Sequence, residues 1–273
     1  MAECGLLNLA SCLPEKFFEY LTTLLNTPLQ PLLSLTKDLL STPVDLSLFS
    51  SLWAIMVYVL SMFYAFLIIY SGFTFIISGY DARKRENAKE WLRNIIIMII
   101  LVQASYFIYE LAVQLGSIMT STTLTLISSN FFNLTLDSII NIGLEMLLGV
   151  FYVLTLFITC LILIIRYAIV AIGVALFPLG IFFYFVQPLK PYGVLLLHFL
   201  GVAVFVTFLD GILLVGFSRL IEISLFANTK ILVMISAFSL INAVMFFLMF
   251  FSILKAAFSM GTKIAALVAK VAV

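Results

Sequence analysis

Long runs of apolar residues fill most of the chain, and polar residues gather in the short stretches between them. A membrane-spanning helix needs about 20 apolar residues, within a range of about 17–25. Four of the runs fit one such helix each, and run 138–186 is long enough for two. The runs are 51–77, 94–118, 138–186, 192–217 and 231–254.

Run 138–186 decides the number of spans. Two helices that meet near Arg166 give six spans, whereas one long or bent helix gives five and leaves Arg166 inside the membrane. We predict six, because a single helix over this run would measure about 74 Å, far more than the hydrocarbon thickness. The stretch LILIIRYAIVAIG has no turn residue before Gly173, which favours five. The predicted fold is an all-α polytopic transmembrane bundle of about six spans, with a range of five to seven.

Composition supports a membrane protein. The chain is 64% hydrophobic and 10% charged, with a mean hydropathy of +1.25. Soluble domains are about 45–50% apolar and about 25% charged. A soluble chain of this composition could not cover its own surface, so we expect lipid to surround the domain 51–254.

The N-terminal segment 1–50 is predicted to be extracytoplasmic and amphipathic. Within 15–25 the apolar side chains recur on one helical face. Three prolines then interrupt the pattern, at Pro28, Pro31 and Pro43. We predict one or two interfacial helices on the membrane surface.

The C-terminal tail 255–273 is also predicted to be amphipathic. Its three lysines recur near one helical face, at Lys255, Lys263 and Lys270. This spacing is typical of an interfacial helix whose lysines meet lipid headgroups, and equally of a lysine-flanked helix end.

Charge sets the expected topology. Segment 78–93 (SGYDARKRENAKEWLR) has a net charge of +2, and residues 1–50 have a net charge of −3. Basic loops stay preferentially in the cytoplasm. Segment 78–93 is therefore predicted to be a cytoplasmic loop and the N-terminus external. Its basic residues are the candidate docking residues Arg83, Lys84, Arg85, Lys89 and Arg93.

Segment 119–137 follows on the external side in this topology. It has no Lys or Arg, and it contains Asn133 in the glycosylation acceptor pattern Asn-Leu-Thr. Applied to all basic residues, the charge rule prefers five spans to six. Five spans place nine Lys and Arg residues inside and four outside, whereas six spans place eight inside and six outside.

Polar residues inside the apolar runs are candidate functional residues, because each is costly in hydrocarbon. They indicate a polar path or a charge pair, such as Arg166 with Asp210 or Glu145, or alternatively contacts that hold helices or subunits together. Pro178, between Gly173 and Gly180, predicts a kink or a broken helix. The candidates are Glu110, Glu145, Arg166, Asp210 and Asn242.

Catalytic and metal-binding motifs are not found in the sequence. His198 is the one histidine, and the chain has no P-loop, nucleophile elbow or zinc-protease motif. We therefore predict no enzyme activity, no cofactor and no metal. Cys4 and Cys12 are a candidate external disulfide, and Cys160 is expected to serve packing.

Two stretches resemble a known family. YSGFTFIISGYDARKRENAKEWLRNIIIMIILVQASYFIYELAVQLGSIM is similar to the helix, basic loop and helix of TrbL-like polytopic proteins of conjugative type IV secretion systems. It is similar also to their archaeal relatives, the Ced DNA-import membrane proteins of Crenarchaeota. The second stretch, 162–201, resembles the family in its intramembrane Arg166 followed by Pro178, Pro188 and Pro191. The two stretches cover about a third of the chain.

The resemblance implies a channel or scaffold component of a DNA-transfer apparatus that works by import or export. It would form a homo-oligomer in the lipid bilayer, with a separate cytoplasmic ATPase, small pilin-like membrane subunits and DNA as the transported substrate. Two alternatives stay open: a secondary transporter for small molecules or ions, and a structural assembly subunit without a conduit. Transporters often contain internal repeats with paired broken helices, and no convincing repeat is found.

Overall fold

The computed structural model describes the backbone of residues 9–127, 131–132, 142–223, 226 and 229–271. At 9–19, 21–22, 24–26, 80, 142–146 and 252–271 it describes the backbone alone. This part of the chain forms α-helices and short 3₁₀ turns and contains no strand. Its six α-helices are α1 Leu9–Ser41, α2 Ser50–Ile77, α3 Ala82–Leu124, α4 Ile142–Phe185, α5 Lys190–Ile221 and α6 Lys230–Val271.

Five stretches of the described residues are long and apolar enough to cross a membrane. Their mean hydropathies lie between 2.0 and 2.8. The predicted class, an all-α multi-pass membrane bundle, is confirmed, and five lies within the predicted range of spans. The stretches are Ser47–Ile77, Ala82–Leu124, Leu147–Phe185, Gln187–Ile221 and Lys230–Phe251.

The predicted hairpin near Arg166 is wrong. Helix α4 continues through Arg166 as one element of 44 residues, so run 138–186 supplies one helix and not two. Pro178 lies inside this helix, which is not broken there. At 1.5 Å per residue α4 is about 66 Å long, roughly twice the thickness of a hydrocarbon core.

Helix α1 continues across Pro28 and Pro31, contrary to the predicted interruption. Leu29, Leu33 and Leu40 are almost fully buried, which places a stripe with helical spacing on one face of its C-terminal half. Protein therefore covers this stripe. The predicted position of the segment on a membrane surface stays a prediction.

The chain divides into two compact units, of which one comprises 1–42, 120–164 and 209–244. In this unit α4 buries Tyr152, Leu156 and Leu163, at the four-and-seven spacing of a packed helix face. On α6 the buried Phe238 ring lies 5.8 Å from the ring of Tyr152. Aromatic packing between α4 and α6 is thus part of the core of this unit.

The other unit comprises 43–119, 165–208 and 245–273. One of its clusters joins α3, α4 and α5 through residues such as Tyr109, Val174 and Ala203. A second cluster joins α2, α3 and α4 through residues such as Leu60, Met98 and Phe182. The ends of α3, α4 and α5 that carry the candidate site are held by these two clusters.

Helix α2 is the spanning helix that the protein covers least. Only 17% of its most apolar 18-residue stretch is buried, whereas 44% of the corresponding stretch is buried in the span that contains α5. Large apolar side chains such as Phe66 and Ile77 are 71% and 78% exposed. Because water would penalise such exposure, lipid or another apolar surface must cover this helix. On its covered face, Trp53 donates a hydrogen bond from Nε1 to Oγ of Ser105, at 2.8 Å.

Candidate functional site: the basic end of α3 and the arginine of α4

The basic segment 78–93 is a helix end and not the predicted loop. After a 3₁₀ turn at Ser78–Tyr80, α3 begins at Ala82, so residues 82–93 form its first three turns. Asp81 caps the helix: its Oδ1 accepts a hydrogen bond from the amide of Arg83 at 3.0 Å. Its carbonyl accepts one from the amide of Arg85, also at 3.0 Å. A side-chain cap followed by Ala, Arg, Lys and Glu strongly favours a helix.

All five basic side chains of this helix end are exposed. Arg93 and Glu90 form the one ion pair described here, with Nη2 and Oε1 at 3.5 Å and both side chains more than 60% exposed. Exposed pairs of this kind contribute only about 0–1 kcal/mol, so the guanidinium group can exchange this partner easily. The helix therefore presents a fixed array of cations to the surrounding solution or to a partner.

Arg166 lies buried at the contact between α4 and α5. Its side chain is 6% exposed. Nε donates a hydrogen bond to the carbonyl of Ala203 at 2.7 Å, and Nη2 donates one to the carbonyl of Val204 at 3.0 Å. Hydrogen bonds from charged donors are roughly twice as strong as neutral ones. Arg166 therefore binds the backbone of α5, a contact that the sequence could not reveal.

The predicted charge pair of Arg166 stays a prediction. Asp210 is completely buried and lies on α5, seven residues beyond Ala203. The side chain of the second candidate, Glu145, lies outside the described residues. Burial of an ionised carboxylate is costly without compensating interactions, which keeps Asp210 a candidate for functional study.

Close contacts join α4 to its neighbours α3 and α5. Tyr109 donates a hydrogen bond from its hydroxyl to the carbonyl of Val170 on α4, at 2.8 Å. A Cβ atom at Gly173 would lie 2.2 Å from this hydroxyl, so the glycine makes room for the tyrosine. Gly180 similarly faces Leu197. Small residues of this kind let helices approach closely in membrane proteins.

Glu110 lies beside other polar groups. It is half-buried and accepts a hydrogen bond from Nε2 of Gln114 at 3.3 Å. With Asp45 and Tyr106 it lines a small cavity of about 280 Å³. Hydrogen bonds from the Ser47 hydroxyl and amide lower the pKa of Asp45 below its ordinary value. The two carboxylates therefore give this cavity an acidic character.

Asn242 connects two helices. Its Nδ2 donates a hydrogen bond to the carbonyl of Thr155, at 3.2 Å, and so joins α6 to α4. Such interhelical bonds contribute on average about 0.6 kcal/mol in membrane proteins. The contact supports the alternative in which intramembrane polar residues hold helices together.

The remaining predicted residues are placed as follows. Cys160 is buried, as expected of a packing residue, whereas His198 is exposed. Asn133 and Cys4 lie outside the described residues, as does the side chain of Cys12. Within the described residues, no group of three or more His, Cys, Asp or Glu side chains could hold a metal ion.

The unit that contains α2 has a cleft of about 870 Å³ that the sequence did not predict. It lies where α2 ends, α3 begins and the 3₁₀ turn Gln187–Leu189 connects α4 to α5. Trp91 lines it from the third turn of α3, and Lys190 lines it from the start of α5. A tryptophan among charged residues was the available signal, because Trp favours membrane interfaces.

Comparison with known proteins adds no relative to this description. No protein-family model matches the chain, and neither does any curated protein or any solved structure.

Proposed function

We propose that this chain is an oligomeric membrane subunit, a channel or scaffold, of a DNA-transfer apparatus that a separate ATPase energises. The observation that carries the proposal is the basic end of α3, a capped helix with five exposed cations directly beside a long apolar span. The resemblance of 70–118 and 162–201 to TrbL-like and Ced proteins supports it. Small pilin-like membrane subunits would complete the assembly.

The basic end of α3 belongs in the cytoplasm in this proposal. Five alternating spans place nine basic residues on one side and four on the other, and Arg166 within the membrane. This agrees with the rule that Lys and Arg collect inside. The second side then faces the exterior with the acidic N-terminal segment.

An exposed array of cations suits two anionic partners. Phosphate groups of DNA attract Lys and Arg through a salt-dependent term, which is largely independent of sequence. An acidic patch on an ATPase would be attracted in the same way, and complementary charges accelerate association. Because a net charge of +2 is small for DNA, docking of the motor is the role that we assign to the array.

Unbroken helices favour this assignment over a secondary transporter. Transporters commonly hold their substrate at discontinuous helices near the bilayer midplane. In the described residues none of the five spanning stretches is broken near its middle, and α4 continues as a helix through Pro178. The contacts of Asn242 and Arg166 likewise suit a rigid subunit.

Charge neutralisation at the helix end tests the proposal. In a strain whose only copy carries Arg85→Gln with Lys89→Gln, we expect DNA exchange between cells to fall. The matched control neutralises Lys37 and Arg219, two exposed cations on the proposed external side, and should leave exchange unchanged. Membrane abundance of each variant is measured by immunoblot. Equal exchange in both variants, at equal abundance, would contradict motor docking at α3.

A further inference from the structure

The cleft at the start of α3 combines cationic and amide side chains. Lys84 reaches it from α3 and Lys190 from α5, so its two cations come from different helices. Side-chain amides add hydrogen-bond donors and acceptors around them. The amide residues are Asn87, Asn94 and Gln187.

The charge of the lining favours an anion. The lining contains two ammonium groups and one carboxylate, that of Glu90. This carboxylate lies 3.5 Å from the guanidinium group of Arg93. Nζ of Lys190 lies 5.3 Å from the centre of the Tyr184 ring, a cation–π contact that helps to hold it at the cleft. Positive charge therefore exceeds negative charge in the lining, and the ring of Tyr184 helps to hold the Lys190 ammonium group at the cleft.

Trp91 supplies an unused donor. Its Nε1 is buried and has no acceptor among the residues that the structure describes. Its ring packs edge-on against Tyr70, with 6.0 Å between the ring centres, so the indole is held in place. A buried donor without a partner costs about 1–3 kcal/mol, which an oxygen atom of a ligand would offset.

The cleft also has an apolar side. Ile77, the last residue of α2, and Phe185, the last residue of α4, both line it. Ile77 is 78% exposed, and the apolar spans begin directly beyond these residues. A ligand that fits here carries an anionic group next to a hydrocarbon part, which a phospholipid has and a nucleic acid lacks.

We infer that this cleft binds the headgroup of an anionic phospholipid, with the phosphate between Lys84 and Lys190 and its acyl chains along α2 and α4. Basic pockets between spanning helices on the cytoplasmic side are where such headgroups bind. Tyr and Trp, which favour the headgroup level, fix the depth of the site. The inference concerns the lipid and holds whatever the basic helix end docks.

Lipid titration of the purified protein tests the inference. Detergent-solubilised protein is titrated with dioleoylphosphatidylglycerol, and bound lipid is counted by native mass spectrometry. Lys84→Gln with Lys190→Gln is compared with Arg85→Gln with Lys89→Gln, which removes the same charge from side chains outside the cleft. Each lysine is expected to contribute about fivefold in affinity. The cleft variant should therefore bind about twenty-five-fold more weakly than wild type, and the control should match wild type.

Two further arms identify the ligand. Dioleoylphosphatidylcholine, whose headgroup has no net charge, should bind wild type more weakly than phosphatidylglycerol. Trp91→Phe keeps an aromatic ring beside Tyr70 and removes the donor, so it should weaken phosphatidylglycerol binding without lowering the melting temperature. If the cleft variant and the control lose the same affinity, binding depends on overall charge and not on the cleft, which would overturn the inference. So would equal binding of the two lipids, or displacement of phosphatidylglycerol by a stoichiometric single-stranded oligonucleotide.

Discussion

Gly193 is the position where a single methyl group should disturb the fold most. It lies in the first turn of α5, and a Cβ atom there would come within 2.2 Å of the amide nitrogen of Tyr184 and 2.7 Å of the carbonyl oxygen of Gly180. Both obstacles are backbone atoms, so a rotamer change cannot relieve them. Gly193→Ala must therefore separate the end of α4 from the start of α5, beside the cleft.

The same helix provides a matched control. Gly201 has no heavy atom within 4 Å of a Cβ placed on it. Overpacking costs about 1–3 kcal/mol of folding stability, and the upper value applies where the obstacles are rigid backbone atoms. Ala is more favourable than Gly in a helix by about 1 kcal/mol. The net loss of stability for Gly193→Ala should therefore be about 2 kcal/mol. Gly201→Ala should gain about 0.5–1 kcal/mol.

Thermal unfolding of the purified protein in detergent separates the two variants. A change of 1 kcal/mol shifts the melting temperature by about 2–4 °C in domains of 150–250 residues. We expect a decrease of about 4–8 °C for Gly193→Ala and a small increase for Gly201→Ala. Equal melting temperatures for the two variants would refute the close contact between α4 and α5.

Three further predictions follow from the charged residues. Arg166→Leu should reduce the yield of folded protein less when Asp210→Leu accompanies it, because the single variant leaves a completely buried carboxylate behind, at a cost of about 2.5–3.5 kcal/mol. Folded yield is measured by fluorescence-detected gel filtration, and additive losses in the double variant would contradict the charge pair. Since hydrogen bonds lower the pKa of Asp45 from its ordinary 3.8, their stabilisation is present above that value and is lost as the pH falls through the folded pKa. The melting temperatures of wild type and Asp45→Ala should thus differ at pH 7, and the difference should shrink as the pH falls below 3.8; a difference that stays constant over this range would argue against the carboxylate. A cysteine at Lys89 should resist an impermeant thiol reagent in intact cells and one at Thr125 should react; the opposite result would invert the topology.

The sequence predicted the helices whose apolar length fits a single span. Run 51–77 and α2 Ser50–Ile77 agree within one residue, because charge and turn residues bound the run on both sides. The segment predicted as a basic loop is the N-terminal end of α3. Asp81 followed by strong helix formers is a helix-start signal, and the density of charge in 78–93 obscures it.

Arg166 and the cleft show what a sequence alone does not contain. The length of run 138–186 indicated a hairpin near the arginine, because a single helix over this run would measure about 74 Å. Helix α4 continues through the arginine because two carbonyl groups on α5 accept its hydrogen bonds, and those acceptors lie 37 and 38 residues away in the chain. The cleft likewise joins Trp91 to Lys190, about a hundred residues apart, through the packing of four helices.

DNA exchange in a deletion strain tests the central claim most directly. The gene is deleted, transfer of a genetic marker between cells is counted, and growth on defined nutrients is measured alongside. A subunit of a DNA-transfer apparatus predicts that exchange is abolished, that a plasmid copy restores it, and that growth is unchanged. Normal exchange together with the loss of uptake of one nutrient or ion would contradict the account and identify a transporter.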